Sequence, residues 1–472
     1  METTPRETTD LAASIADLLT GALARQPRIG ALTRLSGGAS RETWSFGAEI
    51  DGATRALILR RDPPGRPSEP GAMDLEARLL RACRAAGLAV PDLVAVDDGT
   101  LLGTPGIVMS RVAGETLARR IQRDQQFAGA RTVLARQCGE FVAGLQRIPI
   151  DEVPGLPDLD ALDHYRQRWR ELNGVSPTFE LALRWLDQHR PAAGHPVIVH
   201  GDFRLGNFVV ADDGLAAVLD WELAHVGDPL EDLAWLCIKA WRFRARLPVG
   251  GVGRFEELVG GYQAEGGQVV EPDAFRWWLV FNSLKWGVIC EWQAAAHLTG
   301  AQRSVELAAI GRRVAEQEWD LLELLDPEAC RRALERAQSR GFDVAPPEDV
   351  GVYGRPTATE LLEAAREFVT DEVMPATRES GAVQFHSRVA AHVLAMVARQ
   401  VRLAPGQSVR HRAALDALGV ADIGELAGAV RVGAWDDRGL ELQSVLAAVA
   451  RDKLAIAEPR HLTIPSAAGE FP

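Results

Sequence analysis

The chain has 472 residues, more than a single core usually supports, so two or more domains are expected. With 47 % apolar and 25 % charged residues it has the balance of a globular protein and not of a disordered one. A formal charge of −13 and a pI near 5.4 exclude a general nucleic-acid or anionic-membrane surface, while leaving room for a local basic pocket that takes phosphate.

The five cysteines are dispersed, odd in number and without a C-x-x-C pair, which argues against a disulfide framework or a zinc knuckle. The leading METTPRETTD lacks the layout of a signal peptide, and no run approaches 18 apolar residues. A reducing cytoplasm, with no membrane span, is the expectation. Lysine occurs only at Lys239, Lys285 and Lys453, so any earlier position that needs a cation must use arginine.

In chain order, a helix is predicted over 8–25, then strands in ALTRLSGGASRETWSFGAEI and ATRALILRRDPPG, where apolar positions alternate and Gly-Gly and Asp-Gly reverse the chain. DLEARLLRACRAAG reads as a helix closed by glycine, followed by short strands in LVAVDDG and GIVMSRV. The pattern turns helical from about 115 to 195, is interrupted by the short apolar runs VIV, FVV and AAVLDW, and resumes at EDLAWLCIKAWRF. Helices continue through FRWWLVFNSLKWGVICEWQAAAHL and 302–340. GFDVAPPEDVGVYGRP then breaks all periodicity and reads as a linker. A capping box from Thr357 to Glu360 opens a further run of helices, the last near 438–455. The fold class is α+β: a β-rich N-terminal lobe with a leading helix over 1–112, a helical lobe over 113–340, a linker over 341–356, an all-α domain over 357–460 and a flexible tail over 461–472.

Chemistry concentrates in HGDFRLGN, where Gly201 and Gly206 preclude a regular helix and hold Asp202 and Asn207 five residues apart. A carboxylate there can accept a hydroxyl proton, and an amide oxygen can bind Mg²⁺ without adding charge. The same spacing marks the catalytic loop of protein kinases. Asp220 closes the following hairpin, where a carboxylate can chelate metal bridging nucleotide phosphates. Upstream, Gly37 and Gly38 permit a tight reversal whose N–H groups can face phosphate, with Ser40 as an added donor. Strand alternation sets Ile58 and Arg60 on one face and Leu59 and Arg61 on the other.

HGDFRLGN followed by LDWELAHVGDPLEDLAWL resembles the aminoglycoside phosphotransferase and choline kinase group, and within it the kinase-like domains associated with acyl-CoA dehydrogenases, over roughly residues 25 to 325. The resemblance implies a bilobal protein-kinase-like fold, ATP and Mg²⁺ as cofactors, and a hydroxylated small molecule as acceptor. It makes Asp202 the base, Asn207 and Asp220 the Mg²⁺ ligands, and His200 a buttress of the loop. Arg60 aligns with the lysine that holds the α and β phosphates in protein kinases, and Glu76 with its ion-pair partner. The adenine hinge falls at Met109 to Val112, read through the backbone of Ser110 and Val112. Glu222 ranks behind these, near metal or substrate, and Asp228 is expected to brace the catalytic loop, with Asp232 assigned to helix-start chemistry.

For the acceptor, Trp277, Trp278, Phe281, Trp286 and Trp292 with Lys285 suggest either simple core or a surface for an apolar chain with an anionic handle. With the dehydrogenase-associated resemblance this favours a hydroxyacyl-CoA or related hydroxy acid over an aminoglycoside, sugar or amino alcohol. Two rival classes are a pseudokinase scaffold, and a metal-dependent hydrolase built on His200 and Asp202. The second lacks a nearby second histidine, and His386 and His392, six apart on a helix, do not share a face. The C-terminal helices resemble an uncharacterised module that follows such kinases, where a homodimer contact or a protein partner is the expectation.

Overall fold

The computed structural model describes residues 5–35, 41–65, 70–192, 194–344, 355–378, 380–464 and 471. In chain order the elements are α1 (Pro5–Leu23), β1 (Arg28–Ile29), β2 (Thr33–Arg34), β3 (Glu42–Ile50), β4 (Ala53–Arg61), α2 (Ala72–Ala85), β5 (Leu93–Asp97) and β6 (Gly106–Ser110). Then come α3 (Ala118–Arg123), α4 (Ala128–Arg131), α5 (Leu134–Gln146), α6 (Ala161–Glu171), α7 (Pro177–Gln188), β7 (Val197–Val199), β8 (Phe208–Ala211), β9 (Gly214–Val218), β10 (His225–Gly227) and α8 (Glu231–Cys237). The rest is helical: α9 (Phe255–Ala264), α10 (Pro272–Leu298), α11 (Val305–Ile310), α12 (Val314–Leu325), α13 (Pro327–Arg340), α14 (Ala358–Phe368), α15 (Met374–Ala376), α16 (Gly381–Leu418), α17 (Ile423–Arg431) and α18 (Gly439–Ala457).

Two compact units emerge, both assembled from discontinuous stretches. The first comprises Met1–Leu159, Ala193–Leu236 and Val252–Val269, and the second Asp160–Ala192, Cys237–Gly251 and Val270–Pro472.

The first unit is built on an antiparallel sheet of order β1-β3-β4-β6-β5, with β2 paired to β3. Alternation drives it: Trp44, Phe46, Ala48 and Ile50 of β3 and Leu57 and Leu59 of β4 are buried on one face. The apolar stripe of α1, Leu11, Ile15, Leu18 and Leu19, packs into the same cluster. Each such burial stabilises the fold by about 1.5–3 kcal/mol. The β3–β4 reversal is made at Asp51 and Gly52, both at positive φ (52° and 78°), a turn whose twist matches its flanking strands. Short hairpins β8–β9 and the pair β7–β10 form the extended island among the helices, at the VIV, FVV and AAVLDW runs.

In the second unit, Trp319 and Leu322 of α12 and Ala329 and Cys330 of α13 share one core with Leu426 and Val430 of α17 and Leu442, Leu446 and Leu454 of α18. That core runs across the linker boundary drawn from sequence, because α12 and α13 keep an apolar face that α17 and α18 help to cover. The expected capping box is present, with Thr357 and Glu360 exchanging backbone and side-chain bonds. The segment from 461, expected to trail as a flexible tail, begins anchored instead: His461 is buried and its Nε2 lies 2.7 Å from Asp320 Oδ1. Of the aromatic stripe on α10, Trp277, Trp278, Phe281 and Trp286 are core, as is Lys285, while Trp292 stays half-exposed beneath the Arg168 guanidinium.

Candidate active site

The chain between β7 and β8 must leave one strand and enter another within eight residues, and it does so through left-handed backbone at Gly201 (φ 79°) and Gly206 (φ 121°). A Cβ at Gly201 would overlap the Leu223 carbonyl, so no other residue fits there. Asn207 N–H donates to Arg204 O at 3.0 Å, closing the turn, and Leu219 N–H donates to Asn207 O at 2.8 Å, joining the loop to the end of the hairpin. The β8–β9 register, Phe208 opposite Val218, continues with Asn207 against Leu219, so that Asp220 follows directly at the open end of that hairpin.

His200 is fully buried and packs tilted against Trp221, with ring centroids 4.5 Å apart and the planes 51° to one another. Its Nε2 lies 3.0 Å from Leu219 O, and its Nδ1 accepts from Asp202 N–H at 3.2 Å, a pattern that fits the neutral Nε2–H tautomer. Burial drives its pKa down to about 4, the nearby Asp202 and Asp220 offsetting only in part. The ring is uncharged at neutral pH, and both its nitrogens are engaged by the backbone of Leu219 and Asp202.

Three donors fix the Asp202 carboxylate. Trp235 Nε1 donates to Oδ1 at 2.9 Å, Arg204 Nε to the same oxygen at 2.8 Å, and Asn207 Nδ2 to Oδ2 at 2.6 Å. Because Asn207 spends its amide nitrogen on Asp202, its Oδ1 is the atom left for a cation. Asp220 sits at positive φ (67°) and bonds Arg60 Nη2. Although burial opposes the charged form, Arg60 holds the Asp220 carboxyl below the usual carboxylate range.

Arg60 is the hub on the sheet side. It lies on the central strand β4, opposite Thr43 of β3 and Ile107 of β6. Its Nη1 donates to Glu76 Oε1 at 2.5 Å while Nη2 reaches Asp220, and Glu222 Oε2 stands 3.8 Å away. These carboxylates outweigh the cost of burial and raise its pKa. Glu76, buried on α2, is claimed a second time by Arg41, whose Nη1 donates to Oε2 at 2.5 Å and whose Nε lies 3.6 Å from Asp62.

Among the predicted residues, Asp202, His200, Asn207, Asp220, Arg60, Glu76 and Glu222 thus come together. Gly37, Gly38 and Ser40 lie outside the described residues. Ser110 ends β6, its N–H and hydroxyl both engaged with the Asp92 backbone, and Val112 follows two residues on. One pair of roles is exchanged. The bracing bonds expected of Asp228 are made by Asp232, whose buried carboxylate accepts His200 N–H at 2.7 Å and Gly201 N–H at 3.0 Å. Asp228 Oδ1 instead accepts Leu230 N–H at 2.9 Å at the start of α8. The reason is reach: Asp232, the second residue of α8, lies one turn beyond Asp228, which precedes the helix. Sequence reasoning passed over Arg204, Trp235 and Arg41. Arg204, two residues beyond Asp202 in the motif, was the one open to inspection.

No cluster of three or more His, Cys, Asp or Glu side chains suited to a metal occurs among the described residues. The donor set is an amide oxygen and a carboxylate, both hard oxygens, which fits a Mg²⁺ that completes its shell with water and phosphate.

A family model described as "Phosphotransferase enzyme family" matches residues 31–278, more than half of the chain. The chain belongs to this family. A second model, for a domain of unknown function (DUF6285), matches residues 375–461 of this phosphotransferase. Among curated relatives, mouse acyl-CoA dehydrogenase family member 10 is 27 % identical over 57 % of the chain, and rat family member 11 is 26 % identical over 69 %. The phosphotransferase spans only 27 % and 43 % of those two proteins' lengths. Aminoglycoside 3'-phosphotransferase of Escherichia coli is 27 % identical over 35 % of the chain and 64 % of its own length. A crystal structure from Ralstonia eutropha assigned to the aminoglycoside phosphotransferases superposes with a TM-score of 0.52 at 21 % identity, covering 66 % of this chain and 95 % of that one, a likeness of fold. The kinase-like class expected from sequence holds, with a β-rich N-terminal region and a helical remainder. Among the described residues no helix is long and apolar enough to cross a membrane.

Proposed function

We propose that this phosphotransferase moves the γ-phosphoryl group of ATP to a hydroxyl of a small molecule, with Asp202 as the base. The carrying observation is the Asp202–Asn207 bond of 2.6 Å, beside an Asp220 tied through Arg60 to Glu76. The acceptor oxygen forms a bond to the γ-phosphorus as the bond to the β-phosphate oxygen breaks. ADP leaves, and the hydroxyl proton passes to Asp202. Its three donors fix the carboxylate in one orientation, so little reorganisation is needed at the moment of transfer.

Asn207 Oδ1 and an Asp220 oxygen would hold Mg²⁺, which when bound supplies neutralisation of phosphate charge. Arg60 would fork the α and β phosphates, its geometry kept by Glu76. Ser110 and Val112 would present backbone groups to the base, and the Gly37–Ser40 stretch would cover the phosphates.

For the acceptor we favour a hydroxyacyl-CoA or related hydroxy acid. The relatives named acyl-CoA dehydrogenase family members 10 and 11 support this choice. The E. coli aminoglycoside enzyme supports the second reading, an aminoglycoside or other polyol. The test is ADP release from Mg·ATP across hydroxyacyl-CoAs, amino alcohols, sugars and aminoglycosides, with Asp202→Asn as control. Turnover of an aminoglycoside alone would overturn the acyl-CoA reading. ATP binding without Asp202-dependent turnover on any acceptor would leave a pseudokinase.

A further inference from the structure

A groove of about 190 Å³ lies in the second unit between α14 and α16, far along the chain from the phosphotransferase motif. Its apolar lining is Leu362 of α14 with Leu394 and Ala398 of α16. Three arginines, Arg366, Arg399 and Arg402, converge on it, with Glu363 the one carboxylate among the lining residues.

The three guanidinium groups gather on one groove with a single carboxylate, Glu363, among the lining residues. Other guanidinium groups are paired with carboxylates, among them Arg60 with Glu76, Arg170 with Glu180 and Arg410 with Asp452. Among the described residues Arg366, Arg399 and Arg402 make no ion pair within 4.0 Å, in a chain that carries a net charge of −13. Arg399 is part-buried and tethered, its Nε donating to Ile456 O at 2.7 Å and Nη2 to Ala457 O at 3.3 Å, the carbonyl end of α18. That helix end offers partial negative charge but no anion. Glu458, the acid that acts on Arg399 through its charge, bonds Arg244. Burial pulls the Arg399 pKa below its ordinary value, Glu458 offsetting only in part.

A pre-oriented guanidinium with two further arginines beside an apolar strip suits one chemistry: a compact dianion on a short hydrocarbon stem. Forked N–H groups match phosphate oxygens, and Leu362 and Leu394 can cover the stem. We propose that this groove is a binding site for a free organic phosphate, separate from the phosphotransfer site and standing independently of how that site is read.

The probe is hexyl phosphate, titrated calorimetrically into the intact chain, with hexanol, inorganic phosphate and phosphatidylglycerol vesicles alongside. The expected result is saturable binding of hexyl phosphate, at least about tenfold weaker in Arg366→Gln/Arg402→Gln, salt-sensitive, and absent for hexanol. Arg402→Glu, a single change at an exposed position, should weaken it likewise, with urea midpoints of both variants checked for folding. Arg60→Ala should bind the probe as the unaltered chain does. The proposal is overturned if millimolar probe does not saturate, if both groove variants bind normally, or if Arg60→Ala alone abolishes binding. Capture by vesicles without binding of hexyl phosphate overturns it in favour of a lipid surface.

Discussion

Replacing Arg60 by lysine restores the residue that protein kinases use, keeps the charge, and removes only the fork. In this chain the fork matters because two nitrogens serve two carboxylates: Nη1 takes Glu76 Oε1 at 2.5 Å and Nη2 takes Asp220. A lysine has one nitrogen on a shorter reach and cannot reproduce both bonds in their present directions. At least one charge-assisted hydrogen bond is lost, worth about 1.5–3 kcal/mol, which corresponds to roughly 10- to 150-fold in an equilibrium constant. Either Glu76 keeps its partner and Asp220 swings free, or the reverse. In both cases Arg60→Lys should bind Mg²⁺ and a non-hydrolysable ATP analogue at least about tenfold more weakly by calorimetry, with a lower urea midpoint. Arg60→Ala should be worse on both counts, since it leaves Asp220 without its cation. An Arg60→Lys protein within about twofold of the original in affinity, and unshifted in urea, would refute the two-carboxylate argument.

Asp202→Asn should lower turnover by about 10²- to 10⁴-fold while leaving nucleotide affinity close to its original value, measured by ADP release and calorimetry. Asp232→Asn removes one of two buried bonds to the loop and should cost about 1.5–3 kcal/mol in urea, with lost turnover, whereas Asp228→Asn at a helix start should cost well under about 1 kcal/mol. Equal effects of the two would undo their assignment. The His200 pKa is lower folded, about 4, than unfolded, so its contribution is full above about pH 6.5 and is lost as the pH falls towards 4. The shift corresponds to about 3 kcal/mol. His200→Gln should therefore flatten the fall in urea midpoint between about pH 6.5 and 4, and an unchanged slope would count against burial of a neutral ring.

The sheet, its turn and the motif's placement could be read from alternation, from Asp-Gly and from the spacing of Asp202 and Asn207, because these depend on residues close in sequence. Arg60 was legible for the same reason: strand parity fixes its face. The exchange of Asp228 and Asp232 was not, since the bonds run to backbone N–H groups about 30 residues earlier and depend on which side of α8 faces the loop. Nor could the second arginine on Glu76 be foreseen, as Arg41 and Glu76 meet only when α2 settles on the sheet. The tryptophans of α10 looked equally suited to core and to ligand. Burial decides for core at every ring but Trp292.

The core that α12 and α13 share with α17 and α18 bears on how the chain could be divided. Cutting the peptide between 344 and 355 would sever the covalent connection without touching a single residue of that core. The two pieces, expressed together, should reassemble by fragment complementation, held by Trp319 and Leu322 against Leu426 and Leu446. Expressed apart, each would show the other's half of the interface to water and tend to aggregate. A boundary that family models draw between two sequences is, in this molecule, the seam of one folding unit.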